Sequence, residues 1–212
     1  MNKDNSNKIN QACCTTPSER DLGQSFWDQQ YQSNTTGWDM GEVSPPIKAY
    51  ADGLTNKNIR ILIPGCGNAY EAAYLLEAGF TDITVIDIAP TLMEKLKQQF
   101  ANHPNIKIIL GDFFEHKGQY DLIIEQTFFC ALDPILRSAY VKKMHELLAE
   151  NGKLAGVLFN RTFEFQGPPF GGTAEEYHPM FAPYFNMCHF EPCYNSYFKR
   201  ANTELFIELE KK

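Results

Sequence analysis

From residue 59 onward the apolar residues fall into short solid blocks. Longer stretches lie between the blocks, and in them apolar positions recur at helical spacing. The blocks at 59–63, 83–86, 106–110, 120–125 and 153–159 predict strands. The stretches at 69–78, 90–100 and 134–149 predict helices, the last ending near Asn151-Gly152. Strands with near-continuous apolar runs, each followed by a helix, imply a parallel sheet covered on both faces. Thr173-Ala174-Glu175-Glu176 fits a capping box that opens a helix toward Tyr184. Residues 190–198 and 203–210 read as a final hairpin joined at 199–202, which requires one antiparallel strand at the sheet edge. The pattern predicts an α/β fold: a doubly wound, mostly parallel sheet of seven strands with an antiparallel C-terminal hairpin.

Before residue 59 the pattern is helical. Ser18 is placed to cap a helix that carries Phe26, Trp27 and Tyr31, and Gly37-Trp38-Asp39-Met40-Gly41 breaks it into a loop. Ser44-Pro45-Pro46 opens a second short helix through Tyr50, with proline tolerated in its first turn. Residues 1–17, rich in Asn, Lys, Ser and Thr, read as a loose tail. The expected organisation is a single domain over 18–212, with a helical lid at 18–58 and the sheet at 59–212.

Composition narrows the function classes. With 212 residues and 43% apolar content, the chain supports one sizeable core. A net charge of −7 repels phosphate backbones and argues against nucleic acid. No run of 18 apolar residues occurs, which argues against a membrane span, and the polar start does not read as a secretory signal. The expectation is a cytoplasmic monomer that works on a small molecule. Of the six cysteines, none forms a Cys-x-x-Cys pair, and Cys188, His189 and Cys193 match no common zinc spacing. Reduced thiols and no metal are expected.

The strongest motif is Ile63-Pro64-Gly65-Cys66-Gly67-Asn68, between the first strand and a helix. Gly65 and Gly67 allow a tight turn and close approach to a ligand. Asp87 ends the next strand, 22 residues after Gly65, where a carboxylate can accept from both hydroxyls of a ribose. These features also fit a dinucleotide, but the third glycine of Gly-x-Gly-x-x-Gly is Tyr70 here, which disfavours a pyrophosphate at the helix start. A phosphate-free nucleoside such as S-adenosylmethionine fits better. After the third strand, Asp112 is placed to accept from an adenine amino group and Phe113 to pack on its ring. Trp27 and Tyr31 share a helix face, and with Trp38 they could hold a sulfonium cation or simply belong to the core.

The chain resembles the thiopurine methyltransferase family, in the branch that includes plant halide and thiol methyltransferases. The resemblance runs from Phe26 nearly to the C-terminus. It is carried by Phe26-Trp27, Tyr31, Gly37-Trp38, the Pro64-Gly65-Cys66-Gly67 turn, Gly111-Asp112-Phe113-Phe114 and Phe128-Phe129-Cys130-Ala131-Leu132-Asp133-Pro134, and continues through Arg137, Met144 and His145-Glu146-Leu147-Leu148. It implies a Rossmann-like class I methyltransferase that uses S-adenosylmethionine and releases S-adenosylhomocysteine. It implies cofactor contacts at Trp27, Tyr31, Trp38, Gly65, Asp87, Asp112, Phe113 and Gln126. The thiopurine enzymes tend to carry Arg at the position of Gln126, Trp at Tyr31 and often Glu at Asp87. Asp87 and the Phe-Phe-Cys-Ala run lean toward the halide and thiol branch.

Methyl transfer from a sulfonium is an in-line displacement with a good neutral leaving group, so alignment and exclusion of water dominate. A soft nucleophile (thiol, hydrosulfide, halide or thiopurine-like sulfur) needs no metal and little basic help. No catalytic residue is assigned. Phe128, Phe129, Phe159 and the 160–172 loop are expected to wall the acceptor, and Pro169 and Phe170 join them because Gly167-Pro168-Pro169-Phe170 resembles the segment bordering the acceptor in the thiopurine enzymes. Cys66 and Cys130 read as packing residues, and Arg137 as a cap or ion-pair partner on its helix. Arg161 could attract an anion, and Tyr70 or His178 could take a proton. The competing readings are an oxygen or nitrogen methyltransferase, a nicotinamide-dependent oxidoreductase and a non-catalytic cofactor-binding protein.

Overall fold

The computed structural model describes residues 22–212. The tail at 1–17 and the Ser18 cap lie outside the described residues. A single seven-stranded sheet forms the centre, in the order β3-β2-β1-β4-β5-β7-β6. Its strands are β1 (Arg60–Pro64), β2 (Asp82–Asp87), β3 (Ile106–Leu110), β4 (Tyr120–Gln126), β5 (Leu148–Phe159), β6 (Phe185–Pro192) and β7 (Glu204–Lys211). The helices are α1 (Gln24–Gln32), α2 (Pro45–Asp52), α3 (Tyr70–Glu77), α4 (Pro90–Gln99), α5 (Arg137–Leu147) and α6 (Ala174–Phe181).

The largely apolar central strands are explained by a core on each face. Ile61 and Ile63 of β1 and Leu122 and Ile124 of β4 pack with Ala72 and Leu75 of α3 and Leu92, Met93 and Leu96 of α4. Their alternates, Leu62 and Ile123, pack on the other face with Tyr140, Val141 and Met144 of α5 and Tyr177 and Phe181 of α6. β1 pairs in parallel with both β2 and β4, so the chain leaves in opposite directions from these central strands. That divergence opens a crevice beyond their carboxyl ends.

Three expectations need correction. The helix carrying Phe26, Trp27 and Tyr31 begins at Gln24 with Gly23 as its cap, and Leu22 is not helical. The long helix expected at 134–149 is a 3-10 turn, Pro134–Leu136, followed by α5, which stops at Leu147. Leu148 instead pairs with Tyr120 and begins β5, and Asn151-Gly152 is an irregularity within that strand, with Asn151 at φ 59°. A side chain at Gly152 would meet the Tyr120 carbonyl oxygen at 2.9 Å, so glycine is needed where the two strands close up. The hairpin strands are also displaced. β6 starts at Phe185 and ends at Pro192, and residues 193–203 join it to β7 through a 3-10 turn at Phe198–Arg200. The aromatic run that read as strand places Tyr194 and Phe198 in solvent, at 93% and 71% exposure. β7 is the antiparallel strand, and it lies between β5 and β6 rather than at the edge. The Thr173–Glu176 capping box is present at the start of α6. Among the described residues no helix is long and apolar enough to cross a membrane.

Candidate cofactor and acceptor site

A cavity of about 700 Å³ opens beyond the carboxyl ends of β1, β2, β3, β4 and β5, roofed by α1 and the loop after it. At its floor β1 ends in a turn with Gly65, Gly67 and Ala69 all at positive φ, 57°, 52° and 56°. The turn is closed by the Ala69 N–H donating to the Cys66 carbonyl at 2.9 Å. A Cβ on Gly65 would sit 2.3 Å from the Phe128 ring, whereas one on Gly67 would meet nothing nearer than the Tyr31 hydroxyl at 3.7 Å. Gly65 is therefore fixed by packing, and Gly67 leaves backbone exposed to a ligand. The Gly67 N–H donates to Asp87 Oδ2 at 3.3 Å and the Ala89 N–H to Oδ1 at 3.1 Å. Burial pushes the Asp87 carboxyl up to about 6 against the pull of these donors.

Next along the sheet, the Gly111 N–H donates to the Asp87 carbonyl at 3.0 Å and brings the end of β3 against β2. Asp112 caps the following 3-10 turn by accepting the Phe114 N–H at 2.8 Å. The Phe113 ring is wedged among Phe114, Phe128 and Tyr140, and both Phe113 and Phe114 contribute to the wall. Overhead, Trp38 meets Trp27 and Tyr31 edge-on, with centroids 5.5 and 5.8 Å apart. Trp27 and Tyr31 also pack on the β1 core, so these rings serve both as wall and as packing. Burial, with Asp87 nearby, holds the Tyr31 phenol far above its ordinary range, so it stays protonated.

The roof is tied down at three places. Asp28 accepts the Thr91 N–H at 2.7 Å, and Asp39 accepts from the Asn68 amide at 2.5 Å. Arg200 Nη2 donates to the Trp38 carbonyl at 3.0 Å. Tyr70 belongs to the second tie, its hydroxyl donating to Asp39 at 3.3 Å.

The end of the cavity expected to take the acceptor is formed by the turn after β4, the end of β5 and the 160–172 loop. Phe128, Phe159 and Pro169 line it as expected, together with Cys130, Pro168 and Arg200. Phe129 and Phe170 do not line it. Phe129 is 1% exposed and buried against Tyr140 and Tyr177, because the 3-10 turn at Phe129–Ala131 rotates it into the lower core. Phe170 folds its ring back over Gly167 while its N–H donates to the Cys130 carbonyl at 2.7 Å. Gln126 lies at the end of β4, 8% exposed, and neither atom of its carboxamide has a partner among the described residues. Gln126 itself borders the cavity, but its carboxamide is buried behind the wall, where an unpartnered amide is costly.

Arg200 was not singled out from the sequence. It is the one Lys or Arg among the described cavity-lining residues. Its guanidinium lies over the Phe159 ring at 5.4 Å and is balanced by Glu204 at 3.4 Å. Arg137 binds the Gly171 carbonyl at 2.7 Å and stacks on Phe129 and Tyr177, so it braces the loop from beneath. Arg161 and His178 are exposed and away from the cavity. Cys66 and Cys130 are buried, and burial raises both thiols, Cys130 to about 12. Both also border the cavity. Among the described residues no group of His, Cys, Asp or Glu could hold a metal, the Cys188–Cys193 segment included.

Residues 22–207 match the family described as thiopurine S-methyltransferase. The chain is similar to a probable thiol methyltransferase 2 of Arabidopsis thaliana, 30% identical over 162 residues that span 74% of this chain and 71% of the relative. It is also similar to thiocyanate methyltransferase 1 of Brassica oleracea, 27% identical over the same shares of both chains. Among solved structures it superposes on the 1,6-didemethyltoxoflavin-N1-methyltransferase of Burkholderia thailandensis, with bound 1,6-didemethyltoxoflavin and S-adenosylhomocysteine, at a TM-score of 0.72. That likeness covers 89% of this chain and 87% of the other at 18% identity, and it shows the Rossmann-like class I fold.

Proposed function

Because the chain belongs to the thiopurine S-methyltransferase family and is an S-adenosylmethionine-dependent methyltransferase, we propose that its acceptor is a small soft nucleophile bound as an anion: a thiolate, hydrosulfide, thiocyanate or halide. The observation that carries this reading is the Arg200 guanidinium on an otherwise aromatic and apolar acceptor wall of Phe128, Cys130, Phe159, Pro168 and Pro169. Weakly hydrated anions shed water easily, and such a wall offers them one charge and polarisable edges.

The residues fit the cofactor. Asp87 would hold the ribose hydroxyls, Asp112 and Phe113 the adenine, the open backbone at Gly67 with Gln126 at the wall the amino-acid portion, and Trp27, Tyr31 and Trp38 the sulfonium; all of them line the cavity, which supports this reading. Bound there, S-adenosylmethionine supplies an electrophilic methyl group on a cationic sulfur. The chain aligns and dehydrates. Aromatic rings above and Phe128 and Phe159 below exclude water, and Arg200 holds the incoming anion. An acceptor that arrives as an anion needs no proton removed at the moment of transfer, so the wall carries no base duty. The helical roof acts as a lid, and its three ties support that role. The four described cysteines are free thiols, which supports a reducing, cytoplasmic setting.

A scan of acceptors with methyl-labelled cofactor tests the proposal. Hydrosulfide, thiocyanate, iodide and an aromatic thiol are expected to gain label faster than a thiopurine, a catechol or a primary amine. Label carried only to oxygen or nitrogen would overturn it.

A further inference from the structure

A buried carboxylate stands behind the acceptor wall. Glu125, one residue before Gln126, is fully buried. Its Oε1 accepts the N–H groups of Phe128 at 2.8 Å and Phe129 at 2.9 Å, and its Oε2 accepts the Tyr140 hydroxyl at 2.5 Å. β5 packs tightly against its backbone. A Cβ on Gly156 of β5 would lie 2.6 Å from Glu125 Cβ and 2.1 Å from its carbonyl oxygen. The turn that Glu125 holds is unusual in backbone, with Thr127 at φ 60°, a region that β-branched residues rarely occupy. That turn sets two parts of the site. It brings Gln126 to the cavity wall, and it lays the Phe128 ring across Gly65 and 5.1 Å from Phe113. Phe128 is thus common to the cofactor floor and the acceptor wall.

We infer that Glu125 is a positioning residue for methyl transfer: its carboxylate, steadied by Tyr140, holds the Phe128–Phe129 amides and so sets the angle between the glycine floor and the acceptor wall. It touches neither cofactor nor acceptor, since the carboxyl points into the core formed with α5. A neutral carboxyl accepts less strongly, so the ionised form is the one that holds the turn. Burial pushes Glu125 up to about 7, and its three donors pull against that. The titratable groups facing it are Tyr140 from α5 and Cys130 from the turn, both kept protonated by burial, while β5 presents only Gly156. Protonation of Glu125 therefore releases the turn as pH falls through neutrality. The inference rests on the methyl-transfer reading for its activity arm and on the backbone alone for its other arm.

The test uses the full chain with thiocyanate, whose charge does not titrate in this range, as acceptor. Glu125→Gln is expected to lower kcat roughly 30-fold with saturating cofactor, the scale of a displaced reacting geometry, while the calorimetric Kd for cofactor moves less than about threefold. Tyr140→Phe removes a donor to the carboxylate, so the acid limb of kcat is expected to shift to higher pH. Hydrogen exchange at the Phe128 and Phe129 amides is expected to quicken in Glu125→Gln and, in the unaltered protein, as pH falls below neutrality beyond the intrinsic pH effect. Unchanged kcat in Glu125→Gln, or an acid limb unmoved in Tyr140→Phe, would overturn the inference. If Glu125→Gln does not fold, the Tyr140→Phe limb decides alone. If the unaltered protein methylates no sulfur or halide, the acceptor reading fails, and amide protection still decides whether Glu125 holds the turn.

Discussion

The two halves of the cavity are built by different means. The cofactor half stands on the consecutive strand ends of β1, β2 and β3, and its parts bond to one another directly: Gly67 to Asp87, Ala89 to Asp87, and Gly111 to the Asp87 carbonyl. It is acidic, with Asp87 and Asp112 at the strand ends and Asp39 and Glu71 beside the glycine turn. The acceptor half is assembled from the turn after β4, the 160–172 loop and the joint between β6 and β7, and it carries the one described cation of the wall, Arg200. On the proposed function, the cationic cofactor would lie against the acidic half and an anionic acceptor against Arg200, with Phe128 as the partition between them. Breaking one half should leave the other readable.

The largest effect is expected from Asp87→Ala. The loss of two charge-assisted hydrogen bonds to a nucleoside should weaken cofactor binding roughly 100-fold in calorimetry. The acceptor KM at saturating cofactor should hardly move. Arg200→Met attacks the other half, and kcat/KM for thiocyanate is expected to fall roughly 30-fold, with cofactor Kd within about threefold. Arg200→Lys should recover part of the loss by restoring charge, but not the hold on the Trp38 carbonyl. Trp27→Ala, which removes one aromatic face, should weaken cofactor binding about fivefold.

The last effect is on stability rather than binding, and pH reads it. Asp87 binds its proton more tightly folded than unfolded, because burial raises it to about 6. Its contribution to stability is therefore full below the ordinary carboxylate range and is lost as pH rises through about 6. Thermal melts of cofactor-free protein from about pH 4 to pH 7 should show the unaltered chain losing on the order of 2 kcal/mol, about 5 °C, relative to Asp87→Asn. Parallel curves would show that burial at Asp87 carries no such cost.

The same contrast explains what could be read before the structure. Asp87 ends β2, and Gly65, Gly67 and Asp112 follow β1 and β3 within three residues; strands with two buried faces announce themselves as largely apolar blocks, so the cofactor floor and the sheet were legible from local pattern. The acceptor half depends on long-range packing. Phe128 and Phe129 are indistinguishable in sequence, and only the rotation of a 3-10 turn sends one to the wall and the other to the core. Arg200 lay in a stretch read as a tight turn. Its position became visible only once the joint proved to be 193–203 and β7 was found between β5 and β6. Helical spacing through Leu147-Leu148-Ala149 concealed the start of β5, because buried leucine fits either element equally well.

The most direct measurement is an anomalous-difference map from crystals grown with S-adenosylhomocysteine and soaked in iodide. It should show the adenosine ribose on Asp87 and an iodide between the Arg200 guanidinium and the Phe128 and Phe159 rings. A ribose held elsewhere, or iodide bound only outside the cavity while Arg200 stays paired with Glu204, would contradict the account.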